Sequence, residues 1–363
     1  MGENNPQTPN VPFEGPACPL PLQHQDKIVL GHGSGGRMTH ELIQRVFQSR
    51  LLGPELAAGD DYASLLLPSV SRNMGKLAVS TDSHVVSPLF FPGGDIGWLA
   101  VCGTVNDVAV SGGTPLFLTC GFILEEGLSV EVLERVLASM QEAAEKANVR
   151  FVAGDTKVVE KGKVDGLFIN TTGFGWIPEG RSIHGANAKP GDVVLVSGSM
   201  GDHGMAVLSA RGELGFSSVI RSDVAPLNGL IQILLEAAPD VHVLRDPTRG
   251  GLATTLNEIA LQSQVGIQID EAAVPVNPAV QSACEMLGFD PLYIANEGKL
   301  VVIVPPEEAD EALRAMRQCR YGENATRIGE VTAGPPGRVT VRTVVGSTRI
   351  LDMLAGEILP RIC

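Results

Sequence analysis

Five aspartates in the first half of the chain stand where a charge is hard to bury. Asp60 and Asp61 come just before an apolar run at 65–67. Asp82 follows the apolar stretch 77–81, Asp107 interrupts the otherwise apolar segment 96–110, and Asp155 follows 151–154. A carboxylate in apolar surroundings is costly unless it is paired or bound to metal. Five that converge would suit Mg²⁺, which takes one or two carboxylates and fills its other positions with water and substrate phosphates. Each one alone would serve equally well as a helix cap or turn residue. Lys157 lies two residues beyond Asp155, so on an extended strand the two side chains share a face. Its ammonium could offset the charge of a bound phosphate.

Glycine-rich turns offer matching anion sites. Gly31-His32-Gly33-Ser34-Gly35-Gly36 is a flap whose backbone N–H groups can face phosphates. Gly201-Asp202-His203-Gly204 leads into one helix, and Arg245-Asp246-Pro247-Thr248-Arg249-Gly250-Gly251 into another. A strand, a glycine-rich turn and a helix N-terminus together aim amides at an anion, and Arg249 adds charge. Such turns also begin many helices that bind nothing. The flap reads literally as G-x-G-x-x-G. The acidic residue that a dinucleotide site needs after the next strand falls before it, so that context fails. No G-x-x-x-x-G-K-[ST] occurs, which excludes a P-loop.

The third chemical feature is Cys363, at the end of Pro360-Arg361-Ile362-Cys363. A thiol on a terminal arm can reach both an internal cleft and a partner. Ile358, Leu359 and Ile362 could dock the arm in an apolar channel; Arg361 would favour the thiolate, while the neighbouring α-carboxylate opposes it. Nothing follows the cysteine, so the prenylation pattern is absent. The plain alternative is a tolerated cysteine on a frayed end.

The elements that must hold these groups are of mixed type. At 363 residues about two domains are expected. Hydrophobic residues make up 44% and aromatics only 4%, so the cores are aliphatic. Strands and helices recur without strict alternation, which predicts an α+β fold. The spacing suggests a disordered extension at 1–26, an α/β N-terminal domain at 27–177 and a turn-rich linker at 178–191. A C-terminal α+β domain at 192–345 and a mobile tail at 346–363 follow. A buried helix is expected over 96–110. A surface helix is expected over 130–148, capped by Ser129, with one apolar stripe at 130, 133, 136, 137, 140, 143, 144 and 147. Further helices are expected near 41–51, 205–211, 227–237, 252–262 and 307–319. The net charge of −14 argues against nucleic acid and anionic membrane as partners. Six cysteines without a C-x-x-C pair speak against a zinc site or a disulfide framework and fit a reducing compartment. Neither a signal peptide nor a membrane-spanning run is expected.

These motifs together resemble the hydrogenase-maturation carbamoyl dehydratase family, HypE. The resemblance is carried by 31–36, Asp60-Asp61, Thr81-Asp82-Ser83-His84-Val85-Val86-Ser87-Pro88, Asn106-Asp107 and Gly154-Asp155-Thr156-Lys157-Val158-Val159. It continues through 201–204, 246–251, Asn296-Glu297-Gly298 and 360–363, and covers the chain from about residue 27 onward. It implies the two-domain fold of aminoimidazole-ribotide synthetase, selenophosphate synthetase and thiamine-phosphate kinase, in which N-terminal domains pair across a homodimer into a β-barrel. It further implies a cytoplasmic enzyme using ATP and Mg²⁺. A carbamoyl group received on Cys363 from the carbamoyltransferase HypF would be dehydrated to a thiocyanate. Cyanide would then pass to the HypC–HypD complex for the iron of [NiFe]-hydrogenase. Under the resemblance Glu297 is the base on the carboxamide and Lys157 its companion. Asp60, Asp61, Asp82, Asp107 and Asp155 are the metal ligands. Gly33, Ser34, Gly35, Gly36, Thr81, Asn106, Thr156, Gly201, Asp202, His203, Asp246, Thr248, Arg249 and Gly250 hold the nucleotide. Without the resemblance, a lone Glu before a strand is an ordinary turn residue.

Two rival readings have their own signals. A synthetase or kinase of the same fold could act on a soluble metabolite, with Cys18 as its reactive thiol. Cys18 sits in Pro-Ala-Cys-Pro-Leu-Pro without a following lysine. A metallochaperone carrying metal on Cys363 would need further soft ligands, and none is evident. ATP turnover separates this last reading from both enzymes.

Overall fold

A computed structural model describes residues 28–48, 59–66, 75–212, 219–356, 359, 362 and 363. The expected extension at 1–26, Cys18, Ile358, Pro360 and Arg361 lie outside the described residues.

The flap at 31–36 leads into α1 (Arg37–Leu42), which widens into a looser turn over Ile43–Gln48. Strands β1 (Ala63–Leu65) and β2 (Lys76–His84) precede a short hairpin of β3 (Phe90–Phe91) and β4 (Gly94–Asp95). Helix α2 (Ile96–Val110) follows, then β5 (Thr114–Glu125), α3 (Val130–Ala147), β6 (Arg150–Val159) and β7 (Leu167–Ile177). The long strands make one five-stranded sheet ordered β1-β2-β7-β5-β6, antiparallel except for the parallel β5–β6 pair. The sheet is open among the described residues. The expected barrel is not seen in the single chain.

Helix α2 is the pivot of the fold. Apart from Thr104, Asn106 and Asp107 it is apolar around its circumference, because it is enclosed between the sheet, α3 and the C-terminal half. Asp95 caps it, accepting from the N–H groups of Gly97 at 2.8 Å and Trp98 at 3.0 Å. Helix α3 differs from the sequence reading. Val136, Met140, Ala143, Ala144 and Ala147 are buried, but Val130 and Leu137 face outward. Ser129 occupies the cap position without a side-chain bond. Asn148 ends the helix at φ 55°, a left-handed stop.

The second half contributes β8 (Val193–Val196), α4 (Asp202–Ala210), α5 (Asn228–Ala237), β9 (Val243–Arg245) and α6 (Gly251–Ser263). It continues with β10 (Gly266–Asp270), α7 (Pro278–Leu287), β11 (Val301–Val304), α8 (Ala309–Arg317), β12 (Thr326–Thr332), β13 (Arg338–Arg342) and β14 (Thr348–Ile350). These strands form a seven-stranded sheet ordered β14-β13-β10-β12-β8-β11-β9. One aliphatic core lies between this sheet and α6. A second joins the end of α2 to α5, α8 and β11. The third runs from α2 and α3 through α4 and α7 to Leu359 and Ile362. Part of the expected tail is therefore built in. Strand β14 pairs with β13, and Leu351 is fully buried.

Candidate active site

A cleft of about 170 Å³ opens where the two halves meet. Its walls include Gly33 and Ser34 of the flap, Ser83 and Val85 at the end of β2, Arg249 and Gly250, and Cys363. The arm lies inward. Ile362 and Leu359 are buried, and Cys363 packs against their core. The Val85 N–H donates to the backbone oxygen of Cys363 at 3.0 Å, and the His203 ring meets the Ile362 carbonyl at 2.5 Å.

The flap is clamped by close approach. Gly35, at φ +77°, sits against Arg249, and a Cβ there would meet the Arg249 backbone oxygen at 3.1 Å. A Cβ on Gly36 would stand 2.0 Å from the Leu354 carbonyl, and that carbonyl accepts from the Arg37 N–H at 2.9 Å. Gly35 N–H donates to Thr39 Oγ1 at 3.0 Å. Thr39 thus supports the turn from within α1.

Below the cleft lies an acidic cluster short of cations. Burial, then Asp246, Asp61 and Asp82, pushes Asp107 well above the ordinary carboxylate range. Its Oδ2 accepts from Ser80 Oγ at 2.7 Å. Burial raises Asp246 to about 6. Burial, with Asp246 and Asp82 behind it, raises Glu297 strongly. Among the described residues, Oδ2 of Asp246 and Oε1 of Glu297 are buried without a hydrogen-bond partner. Two guanidiniums serve this cluster. Arg245 pairs with Asp61 and, at 2.5 Å, with Glu258. Glu258 in turn meets His40 of α1 at 3.2 Å. Arg249 lies 3.8 Å from Asp82, and the charges at Cys363, Asp82, Glu297 and Asp107 hold it firmly protonated. Buried carboxylates with unused oxygens suit a divalent cation, although no group of three is pre-arranged as a metal cage among the described residues.

The cluster gathers Asp61, Asp82, Asp107, Asp246 and Glu297. Asp60 is employed elsewhere, accepting from the Gly185 N–H at 3.0 Å and lying 3.2 Å from His184 Nδ1. Asp155, Thr156 and Lys157 are exposed on β6, the sheet's edge strand. Strands β7 and β5 separate β6 from β2 and Asp82, a distance of three strand spacings, about 14 Å. Thr81 donates to the Thr171 carbonyl at 3.0 Å. Asn106 joins the halves, donating to the Ala225 carbonyl at 3.0 Å and accepting from the Leu227 N–H at 2.8 Å.

Two amides of the turn at 201–204 are occupied by the protein itself. Gly201 N–H donates to Asn296 Oδ1 at 2.7 Å, and Gly204 N–H to the Ala295 carbonyl. Asp202 bonds Ser199 and Asn277. Asn296 also donates to the Pro247 and Ile294 carbonyls, so one amide ties both glycine turns to the loop before β11. Thr248 and Gly250 stay beside the cleft, Gly250 as part of its lining and Thr248 as a half-buried turn residue. Arg245 and Glu258 were not singled out from the sequence. Glu258 carries the signal that marked Asp107, a carboxylate inside an apolar helix. Of the cysteines, Cys102, Cys284 and Cys319 are buried, whereas Cys120 and Cys363 are half-buried.

The fold and the cleft define an AIR synthase related protein. The family model "AIR synthase related protein, N-terminal domain" matches residues 59–177, and its C-terminal counterpart matches residues 189–342. Within that class, "Carbamoyl dehydratase HypE" of Cupriavidus necator is 54% identical over 337 residues, covering 93% of this chain and 95% of its own. A solved HypE–HypF complex superposes with a TM-score of 0.81 at 52% identity, over 86% of this chain and 99% of that one. A HypE structure in complex with ATP gives 0.77 at 51% identity, over 93% and 100%. The chain belongs to the HypE family of carbamoyl dehydratases.

Proposed function

We propose that this chain is an ATP-dependent carbamoyl dehydratase that converts a carbamoyl group on Cys363 to a thiocyanate, supplying cyanide for the iron centre of [NiFe]-hydrogenase. The observation that carries this reading is the inward seat of Cys363 beside Arg249, the cation that also faces Asp82, Glu297 and Asp107. The family relationship and the ATP complex of a relative support it. When bound, Mg·ATP supplies a phosphoryl group that makes the amide oxygen a leaving group. Asp82, Asp107 and Asp61 would hold Mg²⁺, and the flap and Arg249 would face the phosphates. Glu297, buried and with one oxygen unused, would take the amide protons. The carbamoyl donor is HypF, in keeping with the complex formed by a relative, and the acceptor is HypC–HypD.

Asp155, Thr156 and Lys157 enter this scheme through a second copy. Strand β6 exposes them on an open edge, next to the outward Val152 and Val158. An unpaired apolar edge is a surface for another chain. In a homodimer these residues would act on the partner's nucleotide and carboxamide, and the paired sheets would close the barrel. A cytoplasmic enzyme fits this reading. Among the described residues no helix is long and apolar enough to cross a membrane.

Mass spectrometry of the C-terminal peptide tests the proposal. Incubation with the carbamoylating partner, carbamoyl phosphate and ATP should add a carbamoyl group to Cys363 and then remove water. Cys363→Ser should fold, bind ATP and carry no stable nitrile. Modification at another cysteine would refute the assignment.

A further inference from the structure

We propose that His203 is a positioning residue that latches the arm in the cleft, an inference resting on the reading of Cys363 as the carbamoyl carrier. The ring is fully buried at the start of α4, edge-on to Phe91 at 5.4 Å between centroids. Both nitrogens are engaged. Nδ1 lies 2.8 Å from Ser222 Oγ, and Nε2 lies 2.5 Å from the Ile362 carbonyl.

The tautomer follows from Ile362. Its carbonyl can only accept, so the ring proton sits on Nε2. The bare Nδ1 then accepts from the Ser222 hydroxyl, whose Oγ also accepts from the Val224 N–H at 3.1 Å. Ser222 is itself fixed, since its N–H donates to the Pro92 carbonyl at 2.7 Å. A chain therefore runs from the β3–β4 hairpin through Ser222 and His203 to the residue before Cys363. On the other side of the arm the Val85 N–H holds Cys363. Of these two grips only His203 is a side chain. It is also the only polar side chain bonded to the Ile362 carbonyl among the described residues.

The latch must favour dehydration and oppose loading. The inward state presents the carboxamide to the cleft, whereas reaching a carbamoyl donor requires the arm to leave. A group that binds one state alone shifts the two half-reactions in opposite directions. General loss of structure lowers both.

The test uses the full chain with its carbamoylating partner. Single-turnover dehydration and the loading rate on Cys363 are measured for His203→Leu, His203→Gln and Ser222→Ala. Loss of one buried hydrogen bond predicts dehydration slower by roughly five- to ten-fold in His203→Leu, together with faster loading. His203→Gln, whose amide can return an N–H to the Nε2 position, should recover most of the rate. Ser222→Ala should fall between, because the ring stays while its tautomer is released. Equal dehydration in His203→Leu and the parent, or parallel loss of both half-reactions, would overturn the latch. A parent chain that never forms a nitrile on Cys363 would instead overturn the dehydratase reading.

Discussion

Burial and neighbouring carboxylates raise Glu297 well above the ordinary carboxylate range. A base must first lose its own proton, so dehydration should speed up as pH rises toward the raised pKa and level off above it. Glu297→Gln should load the carbamoyl group and stop there, as read by the mass of the C-terminal peptide. Asp246 gives a stability prediction. Its ordinary value of 3.8 is raised to about 6, so the folded chain binds more proton there than the unfolded chain does. That contribution is complete below the ordinary carboxylate range and is lost as pH climbs through about 6; it amounts to roughly 3 kcal/mol. Thermal melts of the ligand-free protein should fall over that window, and Asp246→Asn should flatten the slope. Asp82 and Asp107 were legible in the sequence because a charge in an apolar run needs a partner. The same rule could have found Glu258. It could not separate Asp155 from the others, because a strand-end aspartate reads alike on a central strand and on an edge.

At the scale of elements, long apolar segments were legible and short alternating ones were not. Helix α2 matches its expected bounds, since a run of that length with an acidic cap has few other solutions. Strands β10 and β12 were passed over. Strand β12 mixes charged and apolar residues and carries a register shift between Arg327 and Gly329, which breaks its period. Helix α7 was missed although Pro278 opens it and Gly288, at φ 73°, closes it. The flap was legible as glycine-rich, but its partner was not, because Leu354 is more than three hundred positions away in sequence. Gly36→Ala tests that contact. A methyl group 2.0 Å from the Leu354 carbonyl forces the two segments apart. We expect a loss of about 1–3 kcal/mol in thermal stability. We also expect faster proteolysis near residue 354 and weaker ATP hydrolysis, from loosening of the cleft wall.

For the molecule as a whole, the open sheet makes assembly the decisive property. The α+β character was legible from element order. The closeness of the two halves was not, because it depends on one helix being buried by both. Light scattering should report a dimer at micromolar concentration. Val158→Asp, on the exposed edge strand, should shift it toward monomer and lower ATP turnover while leaving the monomer's fold intact. A dimer unaffected by this change would move the interface elsewhere.

The unequal burial of the cysteines gives the molecule a built-in probe. Cys102, Cys284 and Cys319 are shielded, and burial raises the thiol of each above its ordinary range, so an alkylating dye meets them slowly in the native state. With Cys18 and Cys120 replaced by alanine, the native labelling rate becomes a direct clock of how often the Cys363 arm is out. Any change in that rate on addition of nucleotide can be followed by fluorescence in real time, with no partner protein present.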